Sequence, residues 1–215
     1  MPRCLFALLA FLLAPLLLAA PDKWAATIDK FTQGDATFPP ARDGVVFVGS
    51  SSIVKWSSLE KDFPGVNVIN RGFGGSELSD SVFFADRIVI PYRPRVVVVY
   101  AGDNDLNAGK TPEAVFGDFK AFVAKVHARL PETRIVFIGI KPSPSRWKIH
   151  ATGEKANALI AAECAKNKRL RFVDVWQPML DAHGEPRREL FVADMLHMNA
   201  AGSAVWAPLV APHLK

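Results

Sequence analysis

Val96-Val97-Val98-Val99-Tyr100-Ala101-Gly102-Asp103-Asn104-Asp105 is the stretch on which the fold turns. Four consecutive valines and a tyrosine lead into a small-residue turn and then a polar cluster. A strand with one wet face would alternate apolar and polar residues. An unbroken β-branched run suits a strand buried on both faces, as in a parallel sheet. Four other runs have the same character: Val45 to Val48, Val66-Asn67-Val68-Ile69, Ile135 to Ile140, and Arg171-Phe172-Val173-Asp174-Val175.

Helical stretches fill the gaps between these runs. Thr111 is an N-cap with Pro112 in the first turn behind it. Val115, Phe119, Phe122, Val126 and Leu130 then recur on one helical face, and Pro131 stops the helix. Further helices are expected around Ser79–Ile90 and Lys155–Lys166. A C-terminal helix opens at the N-cap Asn199, with Pro208 expected to kink or shorten it. Strands alternating with helices predict an α/β protein, a three-layer α/β/α sandwich around a five-stranded, mostly parallel sheet. In such sheets the site lies at the carboxyl ends of the strands, so the loops that follow them carry the chemistry.

Composition narrows the function classes. The 215 residues are 50% hydrophobic and 22% charged, enough to bury a core. Lys and Arg number 26 against 21 Asp and Glu. This mild excess is spread along the chain without a block of like charge, so nucleic-acid binding is not favoured. Residues 1–20 read as a secretory signal: Arg3 and the free amine precede the apolar run Cys4 to Ala20, which ends in Leu18-Ala19-Ala20. The same run is near the length of a membrane span, so an uncleaved anchor is the alternative, and the only membrane proximity expected is through it. Residues 21–215 are read as one domain, exported to the periplasm or the extracellular space. Cleavage leaves Cys164 as the single cysteine, on the apolar stripe of its helix, so no internal disulfide forms.

Four loops contain candidate site residues. Gly49-Ser50-Ser51-Ser52 can hold a hydroxyl at the sheet edge, or simply cap a helix. In Asn70-Arg71-Gly72-Phe73-Gly74-Gly75-Ser76 the glycines let backbone N–H groups approach a ligand. Glu77 stands where a dinucleotide fingerprint needs its third Gly, and no Walker A pattern exists, so no nucleotide cofactor is expected. Gly102-Asp103-Asn104-Asp105 can point an amide into the crevice, or form an Asx turn. No third acidic cluster or His pair joins its two carboxylates, so no metal is expected. In Asp194-Met195-Leu196-His197 a three-residue spacing lets carboxylate and imidazole meet, and the carboxylate fixes the imidazole tautomer. His127, His150, His183 and His213 have no such partner pattern.

Taken together and in this order, the four blocks resemble those of the SGNH hydrolases, the GDSL-type esterases and lipases, from Val45 to Val210. The resemblance implies a flavodoxin-like sheet and a serine esterase that needs no cofactor and no stable protein partner. Its nucleophile would be Ser51, completed by Asp194 and His197. Its oxyanion hole would be the N–H groups of Ser51 and Gly75 and the side chain of Asn104. The family's Asp before the nucleophile is Ser50 here, and three consecutive serines leave Ser52 as the other register. The Gly-x-Ser-x-Gly elbow of α/β-hydrolases is absent, because Ile53 occupies its last position. The implied reaction is hydrolysis of a small-molecule ester with a small or short acyl group, on lipid or carbohydrate. An acyltransferase with the same site and a silent binding module are the alternatives. Lys141, Arg146 and Trp147 follow the fourth strand and are expected to rim the crevice as substrate contacts.

Sequencing the N-terminus of the exported protein checks the leader. The mature chain should begin at about Pro21, whereas Met1 or Pro2 retained in the membrane fraction would mean an anchor.

Overall fold

All five apolar runs form strands in the computed structural model, which describes residues 22–215; the leader expected at 1–20 lies outside them. The strands are β1 Val45–Gly49, β2 Val68–Gly72, β3 Val96–Tyr100, β4 Arg134–Ile138 and β5 Leu170–Val173. They pair in the order β2-β1-β3-β4-β5, and every pair is parallel. The sheet is thus wholly rather than mostly parallel. Its strand direction of growth reverses between β1 and β3, the switch point where open α/β sheets bind ligands.

Alternate strand residues serve two cores. Val46, Val48, Val97, Val99, Ile135 and Phe137 face helices α1 Ala25–Thr37, α4 Leu78–Ile88, α6 Pro112–Arg129 and α7 His150–Ala165. Val45, Phe47, Val96, Val98, Tyr100, Val136 and Ile138 face the short helices α2 Ser51–Val54 and α3 Leu59–Asp62 and the C-terminal α8 Ala200–Val210. A strand covered on both sides has no position for a polar side chain, which is why the valine runs are unbroken. On the first face Phe119 meets Phe137 edge-on at 5.3 Å. On the second, Trp206 lies against Trp56 and Tyr100. Each fully buried side chain of this size contributes roughly 1.5–3 kcal/mol of transfer free energy.

Several boundaries differ from the sequence expectation. β2 begins two residues later than the Val66 run and continues through Asn70 and Arg71, because its partner β1 ends at Gly49, in register with Gly72. α7 begins at His150, well before Lys155. α1 gave no periodic signal in the sequence; only Ile28 of it is fully buried. It is tied down instead by Arg71, whose guanidinium pairs with Asp35, and by Tyr92, whose hydroxyl donates to the same carboxylate. α8 runs through Pro208 to Val210 and then tightens into a 3₁₀ turn at Ala211–His213. Pro208 lies in the last turn, where its missing N–H costs a single helical bond rather than the helix. Thr111 and Asn199 cap their helices as expected, accepting from Ala114 N–H and from the N–H groups of Ala201 and Gly202. Cys164 is buried and free, and burial pushes its thiol up to about 12. Among the described residues no helix is long and apolar enough to cross a membrane.

Phe119→Ala should remove about 3–5 kcal/mol of stability by urea unfolding. Phe38→Ala, at a side chain 81% exposed, should stay within about 0.5 kcal/mol.

Candidate active site

β1 delivers the chain to the switch point and then turns it sharply. Gly49 has φ +132°, and a Cβ there would drive into the carbonyl oxygen of Tyr100 on β3. The Ser50 N–H donates to that same carbonyl at 2.9 Å. Ser50 is fully buried and stands at the N-cap of α2, making no side-chain cap bond. Ser51 is the first residue of α2 and is partly exposed, while Ser52 is buried behind it. Of the three serines, therefore, only Ser51 presents its hydroxyl to the crevice.

His197 meets that hydroxyl from the other side of the crevice. Its Nε2 lies 3.0 Å from Ser51 Oγ, and its Nδ1 lies 2.6 Å from Asp194 Oδ2. The second carboxylate oxygen accepts from the backbone N–H groups of Leu196 and His197, each at 2.9 Å. The intervening turn carries Met195 at φ +56°, a left-handed residue held by bonds from its N–H to Val192 O and from Ser145 N–H to its own carbonyl. Val192 N–H closes the loop onto His197 O at 2.9 Å. The hydrogen bond from His197, and then the backbone N–H groups, hold the Asp194 carboxyl well below the usual carboxylate range although it is exposed. It is an anion across the pH range in which an imidazole titrates, and it faces Nδ1, which fixes the tautomer with Nε2 free to accept from Ser51.

The loops after β2 and β3 supply donors. Gly74 passes Ser51 so closely that a Cβ there would sit 3.8 Å from the Ser51 Cβ. Gly75 follows in the left-handed region at φ +76°. Among the described residues, neither the Ser51 nor the Gly75 N–H donates to a protein acceptor. Asn70 braces the base of this loop, donating to Ile53 O at 2.7 Å and accepting from Gly72 N–H at 2.9 Å. Asn104 lies on the short helix α5 Asp103–Asn107; its Nδ2 donates one hydrogen to Ser76 O at 2.9 Å. The other hydrogen has no protein acceptor among the described residues. Asp105 is fully buried and secures the arrangement from below. Both its oxygens accept from Leu78 N–H at 3.1 Å, and Lys110 Nζ sits 3.0 Å away.

The profile of the GDSL-like Lipase/Acylhydrolase family matches residues 41–205. The chain belongs to this family. It is similar to the alpha1 subunit of platelet-activating factor acetylhydrolase IB from Bos taurus, 29% identical over 168 residues, covering 74% of this chain and 69% of that protein. A GDSL-like lipase from Bacteroides thetaiotaomicron superposes with a TM-score of 0.72 at 22% identity, covering 88% of this chain and 97% of that one. A carbohydrate esterase family 3 protein from Talaromyces cellulolyticus superposes at 0.62 and 18% identity, covering 79% and 95%. These two likenesses show the fold. Membership makes the chain a hydrolase acting on ester bonds.

The rim of this GDSL-type hydrolase differs from the expectation. Lys141 does not present its ammonium to the crevice. Its side chain is 1% exposed, with Nζ 3.2 Å from Asp103 Oδ2 and 3.1 Å from the Tyr100 hydroxyl. A buried ammonium must be paired, and the pairing takes it out of reach of substrate. Burial alone would lower Lys141; Tyr100 and Asp103 outweigh it and hold it above the ordinary lysine range. Burial would likewise raise Asp103, but Lys141 and Arg146 bring it below the usual carboxylate range. Burial and the Asp103 charge push the Tyr100 phenol up to about 12, so it stays neutral. Arg146 does reach the site, but its guanidinium points at Asn104 and Asp103. Trp147 is half-buried, stacked on His150 at 4.5 Å and on Trp176 at 6.1 Å.

Trp24 was not legible as a site residue. It comes from the 3₁₀ turn Asp22–Trp24, packs edge-on against Phe73, donates to Asp80 at 3.2 Å and backs Gly75. Nothing in its local sequence marks that contact, which spans about fifty residues. Among the described residues no group of three or more His, Cys, Asp or Glu is arranged to hold a metal ion.

Gly49→Ala should cost roughly 2–5 kcal/mol, from strain at positive φ and from overlap with the Tyr100 carbonyl together. The urea midpoint measures it, and a loss under 1 kcal/mol would show that β1 and β3 can separate at this edge.

Proposed function

We propose that the protein is a serine esterase in which Ser51 attacks the ester, His197 transfers the proton and Asp194 orients His197. One observation carries the reading: a single imidazole bridges Ser51 Oγ at 3.0 Å and Asp194 Oδ2 at 2.6 Å. This is the geometry that acyl transfer through a serine requires.

Each step follows from the groups present. As Ser51 Oγ bonds to the carbonyl carbon, its proton passes to His197 Nε2, and the resulting imidazolium faces the Asp194 carboxylate. Negative charge moves onto the carbonyl oxygen. The N–H groups of Ser51 and Gly75 and the second Nδ2 hydrogen of Asn104 receive it. Such donors gain strength only as charge develops, so each contributes to rate rather than to ground-state binding, about 10²–10³ per donor. The imidazolium then protonates the departing alcohol as its bond to carbon breaks. Water attacks the acyl-enzyme, giving its proton to the same Nε2, and the acid leaves as Ser51 regains its hydrogen.

A small acyl group suits the site. Related proteins are named for acetyl esters, among them the platelet-activating factor acetylhydrolase subunits and an acetyl-xylooligosaccharide esterase from Geobacillus. The leader at residues 1–20 would deliver the enzyme to exported ester substrates.

A fluorophosphonate probe tests the covalent step. It should label the active protein on Ser51, and Ser51→Ala should abolish both labelling and p-nitrophenyl acetate hydrolysis with the unfolding midpoint retained. Label on Ser52, or hydrolysis that survives in Ser51→Ala, would overturn the assignment. Adding acceptor alcohols in large excess identifies the acyl acceptor: hydrolysis should persist, whereas ester products formed in its place would mark a transferase.

A further inference from the structure

We infer that Arg146 is a positioning residue for Asn104: it dictates which end of the amide faces the reacting carbonyl and strengthens the N–H presented there. The inference rests on the reading of Asn104 as an oxyanion donor.

Arg146 Nη2 donates to Asn104 Oδ1 at 2.9 Å, while Asn104 Nδ2 donates to Ser76 O at 2.9 Å on the opposite side. A guanidinium has donors only, and a backbone carbonyl accepts only. The amide is therefore held in one orientation. Turned over, its NH₂ would meet the guanidinium and its oxygen would meet the Ser76 carbonyl, so two hydrogen bonds would become two repulsions. In the held orientation one Nδ2 hydrogen remains without a protein acceptor among the described residues, on an amide bonded to the loop that carries Gly75. A cation bonded at the amide oxygen also draws electron density from nitrogen, which makes the remaining N–H a better donor.

Arg146 is itself fixed from behind. Its Nη1 lies 3.0 Å from Asp103 Oδ2, and the same oxygen is 3.2 Å from Lys141 Nζ. The Arg146, Asp103 and Lys141 side chains are 15%, 8% and 1% exposed. Two cations share one carboxylate, and Tyr100 beside them is neutral. The cluster carries a net positive charge immediately behind the oxyanion donor, where water does not screen it. A buried ion pair on its own is poor evidence for stability. A buried cluster that keeps one uncompensated cation next to a developing anion has a reason to exist in the reaction.

The sequence already holds the elements of this arrangement in two loops. Asp103 precedes Asn104, and Lys141 and Arg146 follow β4, the strand paired with β3. The 3₁₀ turn Pro144–Ile149 brings Arg146 back over α5. Lysine at 146 would lose this double engagement, because one ammonium cannot both donate to Asn104 Oδ1 and keep a second nitrogen against Asp103 Oδ2.

Steady-state kinetics of Arg146→Gln, Arg146→Lys, Asn104→Ala and the double variant Arg146→Gln/Asn104→Ala test the inference. Each variant is assayed on neutral p-nitrophenyl acetate and on the anionic mono-p-nitrophenyl succinate, with urea midpoints recorded. Arg146→Gln should lower kcat about 10- to 100-fold on both esters with KM little changed. Arg146→Lys should fall between it and the parent. Asn104→Ala should lower kcat about 10²–10³-fold. The double variant should be no slower than Asn104→Ala within about twofold, because Arg146 acts through the amide. Fully additive losses would overturn the inference, as would unchanged kcat in both Arg146 variants. A rise in KM confined to the anionic ester would overturn it too, in favour of a direct substrate contact. If Asn104→Ala keeps full kcat, the oxyanion reading fails and this inference with it; if only the Arg146 variants keep full kcat, the oxyanion reading stands and this one falls.

Discussion

Gly49, Gly72 and Tyr100 end three neighbouring parallel strands at one level, Gly49 in register with both of the others. That register is the constraint on which the site depends. Three chains leave the sheet side by side, within hydrogen-bonding reach of one another. The first gives Ser51, the second the glycine loop, and the third Asn104. Two of the three strand-end residues are glycine because the backbones must pass closely. Gly49 meets the Tyr100 carbonyl, and Gly72 meets the end of α2 at Ile53 and Val54. Side chains there would separate the strands and spread the donors apart.

The fourth element, His197, comes from far along the chain and must be aimed independently. The structure does this with a tight turn rather than a packed helix. Asp194 takes two backbone N–H groups on one oxygen and the imidazole on the other, while Val192 N–H donates the closing backbone bond to His197 O. The same carboxylate thus shapes the loop and orients the ring, although it lies at the surface. Geometry that depends so heavily on one side chain is stiff only while that side chain is ionised, and the lowered pKa of Asp194 keeps it so.

Burial of charge shapes the remaining part of the site. Asp103, Asp105 and Lys141 would each be costly in the interior if left alone. They are tolerated because each has a partner, Lys110 for Asp105, and Lys141 and Arg146 for Asp103. These pairs also hold separate segments together. Asp105 joins α5 to the first residue of α4, and Asp103 joins the loop after β3 to the loop after β4. The polar block after β3 therefore has only one residue, Asn104, facing the crevice, with its two acidic neighbours turned inward as supports.

The sequence by itself determined the sheet, its five strands and the four blocks at their ends. It could do so because strands buried on both faces need unbroken apolar runs, and because the family's blocks are local in the chain. It also assigned Ser51, Gly75, Asn104, Asp194 and His197 to loops that the structure brings together at one end of the sheet. Local pattern could not reveal which polar side chains face one another across the fold. Lys141 and Arg146 both read as crevice cations; only the position of Asp103 beneath them shows that one is buried and the other is turned onto Asn104. Trp24 and α1 were hidden for the same reason, since their anchors, Phe73, Asp80, Arg71 and Tyr92, are distant in the chain. In the chain, only counting from Gly49 separates Ser51 from its neighbours; in the fold, Ser50 and Ser52 are buried, Ser51 is partly exposed, and an imidazole stands at hydrogen-bond distance from its hydroxyl.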